Sequence, residues 1–177
     1  ARGPRAGSMV FFPFVGGAVS LKDQPLPVYD DALIGLAGPA AGTAASLLSL
    51  QIYKWTTDPL WLYIAFLGFG LNLINLIPIG MLDGGRISAA ISKWMWVIGG
   101  GMVVYKVIQQ PNPLIIVIAV LAAFQVYLSL NREKSDPHYY EITVGQRAAI
   151  AVLYFALVIF LGHQTWMSLS RLELLRR

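Results

Sequence analysis

Apolar residues in this chain fall into five long runs separated by short polar or proline-containing connections. Each run is close to the roughly 20 residues that a helix needs to cross the hydrocarbon core of a bilayer. Because short connections favour antiparallel neighbours, we expect one helical bundle and a single membrane domain over residues 1–177. The runs predict transmembrane helices over residues 33–52, 60–79, 87–108, 114–130 and 148–169.

The third run is the least regular of the five. Lys93 lies near its start, and Gly99, Gly100 and Gly101 interrupt it. A re-entrant or tilted element is therefore an alternative to a helix that crosses fully.

The N-terminal segment shows a different pattern. Two short β-prone runs flank Gly16 and Gly17, which predicts a β-hairpin over residues 9–23 with the two glycines in its turn. Pro13 has no N–H donor and so favours an edge strand. Two interpretations stay open, an interfacial loop with aromatic anchors and a strand that offers its free edge to an extended peptide. The predicted fold class is an all-α integral membrane bundle with this short hairpin.

Composition supports a membrane environment. Hydrophobic residues make up 56% of the chain and charged residues 12%, whereas a soluble domain carries roughly 25% charged residues. The chain has no cysteine, which excludes a disulfide framework, a thiolate zinc site and a cysteine nucleophile. The basic residues are scattered, so we expect the lipid bilayer as a partner and no nucleic acid.

Basic residues also predict an orientation. If all five runs cross, the side that holds Arg86 and Arg147 carries more Lys and Arg than the side that holds Lys54 and Lys106. The positive-inside rule then makes the chain a multi-pass protein with Asp83 and the N-terminal hairpin on the cytoplasmic side.

The polar residues that could carry chemistry are concentrated around the second connection. Asn72 and Asn75 lie three residues apart and so share one side of a helix, which should face inward because amides need partners in lipid. Pro78 then interrupts the helix, and Asp83 follows at the end of the apolar run. A carboxylate at membrane depth costs roughly 2.5 kcal/mol or more unless a partner such as a cation offsets it. The alternative is that Asp83 is the N-cap of the third helix, with Arg86 as its ion-pair partner.

The same residues match a family motif. Asn75-x2-Pro78-x4-Asp83-Gly84 resembles the N-x2-P-x4-D-G motif of the site-2 proteases, the intramembrane zinc metalloproteases. Two further stretches agree in order and spacing. Residues 11–23 resemble the family's β-hairpin segment, and residues 35–42 resemble its AGP-containing helix.

The resemblance implies roles for particular residues. Asp83 would be one zinc ligand, and Asn75 would help to hold the extended substrate backbone. The other two ligands in the family are the histidines of an HExxH helix, whose glutamate is the general base towards a zinc-bound water. Substrates would be single-span membrane proteins, aligned along the edge of the hairpin. The hairpin residues given this substrate-binding role are Phe12, Phe14, Gly16 and Gly17.

The chain departs from the family in lacking HExxH. Its two histidines, His138 and His163, are not paired at that spacing. The H-x-x-E spacing of His138 and Glu141 is interpreted as a solvated loop, and His163 as a hydrogen-bonding residue. The family's HExxH would fall before Ala1. We therefore expect an incomplete, inactive fragment that holds Zn only if upstream residues supply the histidines.

Two rival functions stay open from the sequence. A non-catalytic pseudoprotease or membrane scaffold would keep the fold without the metal. A small transporter would use Asp83 as a proton or cation carrier, but this needs a second acidic residue inside a span, and none of the five runs contains one.

Overall fold

In the computed structural model, most of the described residues in the apolar runs are helical. The described residues are 27–79, 82–92, 94–110 and 141–175, together with the backbone of 6–12 and 16–21 and separate positions between 116 and 127. Five helices have defined bounds: α1 (Val28–Thr56), α2 (Pro59–Asn75), α3 (Asp83–Ile91), α4 (Trp94–Gln109) and α5 (Val144–Leu175).

Three helices coincide with predicted runs, namely α1, α2 and α5. Among the described residues, α1 and α5 are long and apolar enough to cross a membrane, while α2 is a shorter apolar helix. The predicted run 114–130 lies largely outside the described residues.

The prediction of one helix over residues 87–108 is wrong. The structure has two helices there, because Ser92 leaves the helical conformation with φ −168° and ψ 135°. The Ser92 hydroxyl accepts a hydrogen bond from the Trp94 backbone N–H at 3.3 Å, as an N-cap serine does. Gly99, Gly100 and Gly101, which had indicated an interruption, lie within α4.

Local sequence fixes the starts of two other helices. The Asp58 side chain accepts a hydrogen bond from the Leu60 N–H at 2.9 Å, and Pro59 occupies the first turn of α2. Thr143 and Gln146 form a reciprocal capping box at α5, with bonds of 3.1 and 3.2 Å. With this capping box, α5 begins at Val144, whereas the apolar run predicted a start at residue 148.

Four helices share one hydrophobic core, α1, α2, α3 and α5, and α4 contacts α3. Its largest fully buried apolar side chains are Phe69, Leu62, Leu76, Ile87, Ile150, Leu161 and Val28.

Two short strands precede the helices. β1 (Ala6–Phe12) and β2 (Gly16–Leu21) pair antiparallel. Gly16 and Gly17 pair with Phe12 and Phe11, so the glycines belong to β2 rather than to the turn in which the sequence placed them. The glycines are not in the turn because the strand pairing continues through both of them. The connection between the strands, including Phe14, lies outside the described residues.

Candidate functional site

The end of α2 bends away from its helical path just before the motif proline. The last helical residue is Asn75, and Pro78 cannot donate the N–H that would continue the helix. The carbonyl that loses its helical donor to Pro78 is that of Ile74, which accepts from the Ile77 N–H at 3.0 Å instead.

The buried Leu76 carbonyl lies beyond the last helical residue, and no backbone N–H of the described residues donates to it. The hydroxyl of Tyr154, on α5, donates to that carbonyl at 2.7 Å. The Tyr154 side chain on α5 thus supplies the hydrogen-bond donor that the Leu76 carbonyl needs at the bend.

Asp83 begins α3 and lies directly on α1. A Cβ built on Gly38 would be 3.0 Å from Asp83 Oδ2, and a Cβ on Gly35 would be 3.2 Å from the Asp83 carbonyl oxygen. The absence of side chains at both positions therefore lets the first turn of α3 rest on α1 without displacing either helix. This places the carboxylate against the glycine-containing stretch that the sequence singled out.

The two motif-side asparagines have different surroundings. The Asn72 amide packs on Gly42, where a Cβ would clash with it, and Asn72 Nδ2 donates to the Gly68 carbonyl at 2.7 Å. Asn75 is half-buried, and its side chain has no hydrogen bond to any residue that the structure describes. Asn72 therefore joins α1 to α2, whereas the Asn75 amide keeps its donors and acceptor for another partner.

The N-cap interpretation of Asp83 does not hold. The N-cap of α3 is Leu82, without a side-chain hydrogen bond. Arg86 does not form its ion pair with Asp83 but reaches Asp31 on α1, with Nε and Nη2 donating to Asp31 Oδ1 at 3.0 and 2.5 Å. Asp83 is thus neither a helix cap nor a salt-bridge partner within the described part of the chain.

The electrostatic surroundings of Asp83 oppose its charge. Burial raises the pKa of the Asp83 carboxyl above its ordinary value, and the Arg86 guanidinium partly opposes that rise in pKa. None of the described residues donates a hydrogen bond to this carboxylate. A partly buried carboxylate without donors is stabilised by a bound cation, because the cation replaces the lost hydration.

The chemistry of Asp83 fits one ligand of a zinc site, but a catalytic zinc needs three protein ligands. No group of three His, Cys, Asp or Glu residues that could hold a metal occurs among the described residues. His163 is exposed on α5, and His138 lies outside the described part. The described residues alone therefore do not fit a complete zinc site.

Two further contacts support the turn around Asp83, and neither was predicted from the sequence. Trp96 Nε1, on α4, donates to the Gly85 carbonyl at 3.0 Å. Gly84 lies against the Leu76 and Ile77 carbonyls, where a Cβ would clash. An indole in an apolar run looks like any other hydrophobic residue, so only its burial, with 7% exposed, reveals this contact.

Comparison with known proteins agrees with this geometry. The model of peptidase family M50 matches residues 46–99, which include Asn75, Pro78 and Asp83. A protein of Mycolicibacterium smegmatis named "Putative zinc metalloprotease Rip2" is 38% identical over 78 residues, which are 40% of this chain and 30% of that protein. No solved structure matches significantly. In its motif and in the helices that carry it, the chain resembles the site-2 proteases.

Proposed function

We propose that this chain is part of a site-2-protease-like zinc metalloprotease that hydrolyses peptide bonds of membrane-spanning substrates. The observation that carries the proposal is the Asp83 carboxylate, held against Gly38 without a hydrogen-bond donor among the described residues. The M50 family match over the same residues supports it.

The residues assigned to the site have separate roles in the proposal. Asp83 supplies one anionic oxygen ligand, and the two histidine ligands come from outside the described residues. The Asn75 amide holds the substrate backbone by hydrogen bonds. The edge of the β1–β2 pair, with Phe12, Phe14, Gly16 and Gly17, aligns the substrate. Zinc in such a site polarises the scissile carbonyl and lowers the pKa of a bound water.

The proposed surroundings are a lipid bilayer, with the chain multi-pass and the Asp83 side cytoplasmic. The apolar helices α1 and α5 support the membrane placement. The substrates are single-span membrane proteins, which reach the carboxylate from within or beside the bilayer.

Zinc analysis of the native-length gene product tests the proposal. We expect about one zinc per chain in the wild type and a loss of at least tenfold in Asp83→Ala, because one of three ligands is removed. Asp30→Ala, an exposed carboxylate at the start of α1, is the matched control and should keep its zinc. Equal zinc in the wild type and Asp83→Ala would refute the ligand role.

A second measurement separates binding of metal from binding of substrate. Asn75→Ala should keep its zinc and lose about tenfold or more in kcat/KM towards a single-span reporter substrate, because hydrogen bonds to the substrate are lost. Loss of zinc in Asn75→Ala would assign this residue to the metal site instead.

The alternative function is a non-catalytic membrane scaffold. A scaffold would keep the helices that the structure describes without needing a metal. It predicts that the purified native-length product contains no zinc in either the wild type or Asp83→Ala.

A further inference from the structure

We propose that Asp31 is a positioning residue that acts through Arg86: it holds the Arg86 guanidinium on α1 and so keeps the Asp83 carboxylate free of an ion pair. This role of Asp31 rests on the proposed protease function in one respect, which is the identity of the cation that Asp83 would bind. The positioning itself concerns three side chains of this chain and no metal.

Arg86 has two acidic residues within possible reach. Asp83 lies three residues earlier on α3, the spacing at which oppositely charged side chains pair on a helix. Asp31 lies on a different helix, 55 residues away in sequence. The guanidinium nevertheless bonds to Asp31 through both Nε and Nη2, and the side chains of Arg86 and Asp31 are 37% and 17% exposed.

The contact of α3 with α1 favours this choice. Gly35 lies one helical turn after Asp31, and its bare backbone lets Arg86 Cβ approach to 3.4 Å from where a Cβ would stand. Arg86 therefore leaves α3 directly over α1 and meets Asp31 there. At Asp31, two guanidinium donors share one carboxylate oxygen, Oδ1, in a charge-assisted contact.

The contact between Asp31 and Arg86 determines what the Asp83 carboxylate can bind. With Arg86 engaged by Asp31, the Asp83 oxygens next to Gly38 receive no hydrogen bond from any residue the structure describes. If the guanidinium paired with Asp83, it would occupy the oxygens and neutralise the charge that a cation needs. One arginine thus has two possible carboxylate partners, and Asp31 decides between them.

Carbodiimide labelling of carboxyl groups in the purified, metal-free chain tests this directly, with labelled sites read by mass spectrometry. We expect Asp31→Asn to lower the labelling rate of Asp83 by about two- to fivefold, the range for a partly exposed ion pair that forms on α3. Arg86→Gln in the Asp31→Asn background should restore the wild-type rate, because the competing guanidinium is gone. Asp31→Glu keeps the charge and should label at the wild-type rate.

The matched control is Asp30→Asn, which removes an exposed carboxylate from the same turn of α1 and should leave Asp83 labelling unchanged. A purely structural role of the Asp31–Arg86 pair predicts another pattern. The Asp83 labelling rate of the double variant would then stay at the Asp31→Asn rate instead of returning to the wild-type rate. This result would overturn the proposal. Unchanged labelling in Asp31→Asn would overturn it as well.

The two proposals fail separately. If the labelling pattern appears but the native-length product contains no zinc, the positioning role of Asp31 stands and the protease function fails. If Asp83 carries zinc but Asp31→Asn labels like the wild type in the metal-free chain, the protease function stands and the positioning role fails.

Discussion

Individual glycines set how closely the segments around Asp83 approach one another. Gly84 faces the backbone carbonyls of Leu76 and Ile77, and Gly99 faces the Pro78 carbonyl. Backbone atoms cannot rotate away as a flexible side chain can, so any added carbon must displace a helix. These positions require the absence of a side chain for reasons of space.

We predict that Gly84→Ala lowers the unfolding free energy by roughly 1–3 kcal/mol, the usual cost of overpacking. The measurement is thermal unfolding in detergent micelles. Gly100→Ala is the control, because a Cβ added at this position of α4 would have no neighbouring atom of the described residues within 4 Å. Alanine there should stabilise by up to about 1 kcal/mol. Equal midpoints for Gly84→Ala and the wild type would contradict the close contact.

The candidate site was predictable from the sequence only where its residues lie close together in the chain. Asn75 and Asp83 belong to one short motif, and its resemblance to the site-2 protease motif is what implied a role for each of them. The partner of Arg86 was not predictable. The nearer acid in sequence is Asp83, whereas Asp31 is chosen by the way α3 rests on α1, which no local pattern encodes.

At the scale of elements, hydropathy predicts the long helices well and the short ones poorly. The runs behind α1, α2 and α5 are predominantly apolar and located each helix, although their predicted ends differ from the observed ones by one to six residues. The boundary between α3 and α4 was missed because only two polar residues, Ser92 and Lys93, separate the apolar residues on either side of it. A single serine cap, Ser92, ends one helix and starts the next.

The junction of α2 with α5 gives the element-scale prediction. We expect Tyr154→Phe to lower the unfolding free energy by about 1–2 kcal/mol, because the buried Leu76 carbonyl loses its donor. Thermal unfolding of the purified protein measures this. Tyr105→Phe, at a side chain 60% exposed on α4, is the matched control and should shift the midpoint little. Similar midpoints for both variants would show that the Tyr154 bond contributes nothing.

At the scale of the whole molecule, two polar contacts between helices lie at one end of the bundle. The Asp31–Arg86 pair joins the start of α1 to α3, and Arg147 at the start of α5 donates to the Ile91 carbonyl at 3.0 Å. The starts of α1 and α5 therefore lie at the end of the bundle that contains α3. The C-terminal ends of α1 and α5 lie at the opposite end of the bundle.

We predict that the two ends of the bundle face opposite sides of the membrane. The chain contains no cysteine, so single cysteines can be introduced without background. In sealed vesicles, a membrane-impermeant maleimide should label Thr57→Cys and Leu174→Cys from one side and Val144→Cys from the other. Labelling of Thr57→Cys and Val144→Cys from the same side would contradict two crossing helices.

The hydrogen bond between Tyr154 and the Leu76 carbonyl has a consequence for biosynthesis. Its two residues are 78 positions apart, so the ribosome adds 78 residues after Leu76 before the donor exists. Until α5 has been synthesised, this carbonyl of the nascent chain must stay hydrated or bond to another group. The bend is thus completed only after α5 has been synthesised, and a stop codon ahead of Tyr154 would leave the carbonyl without its permanent donor.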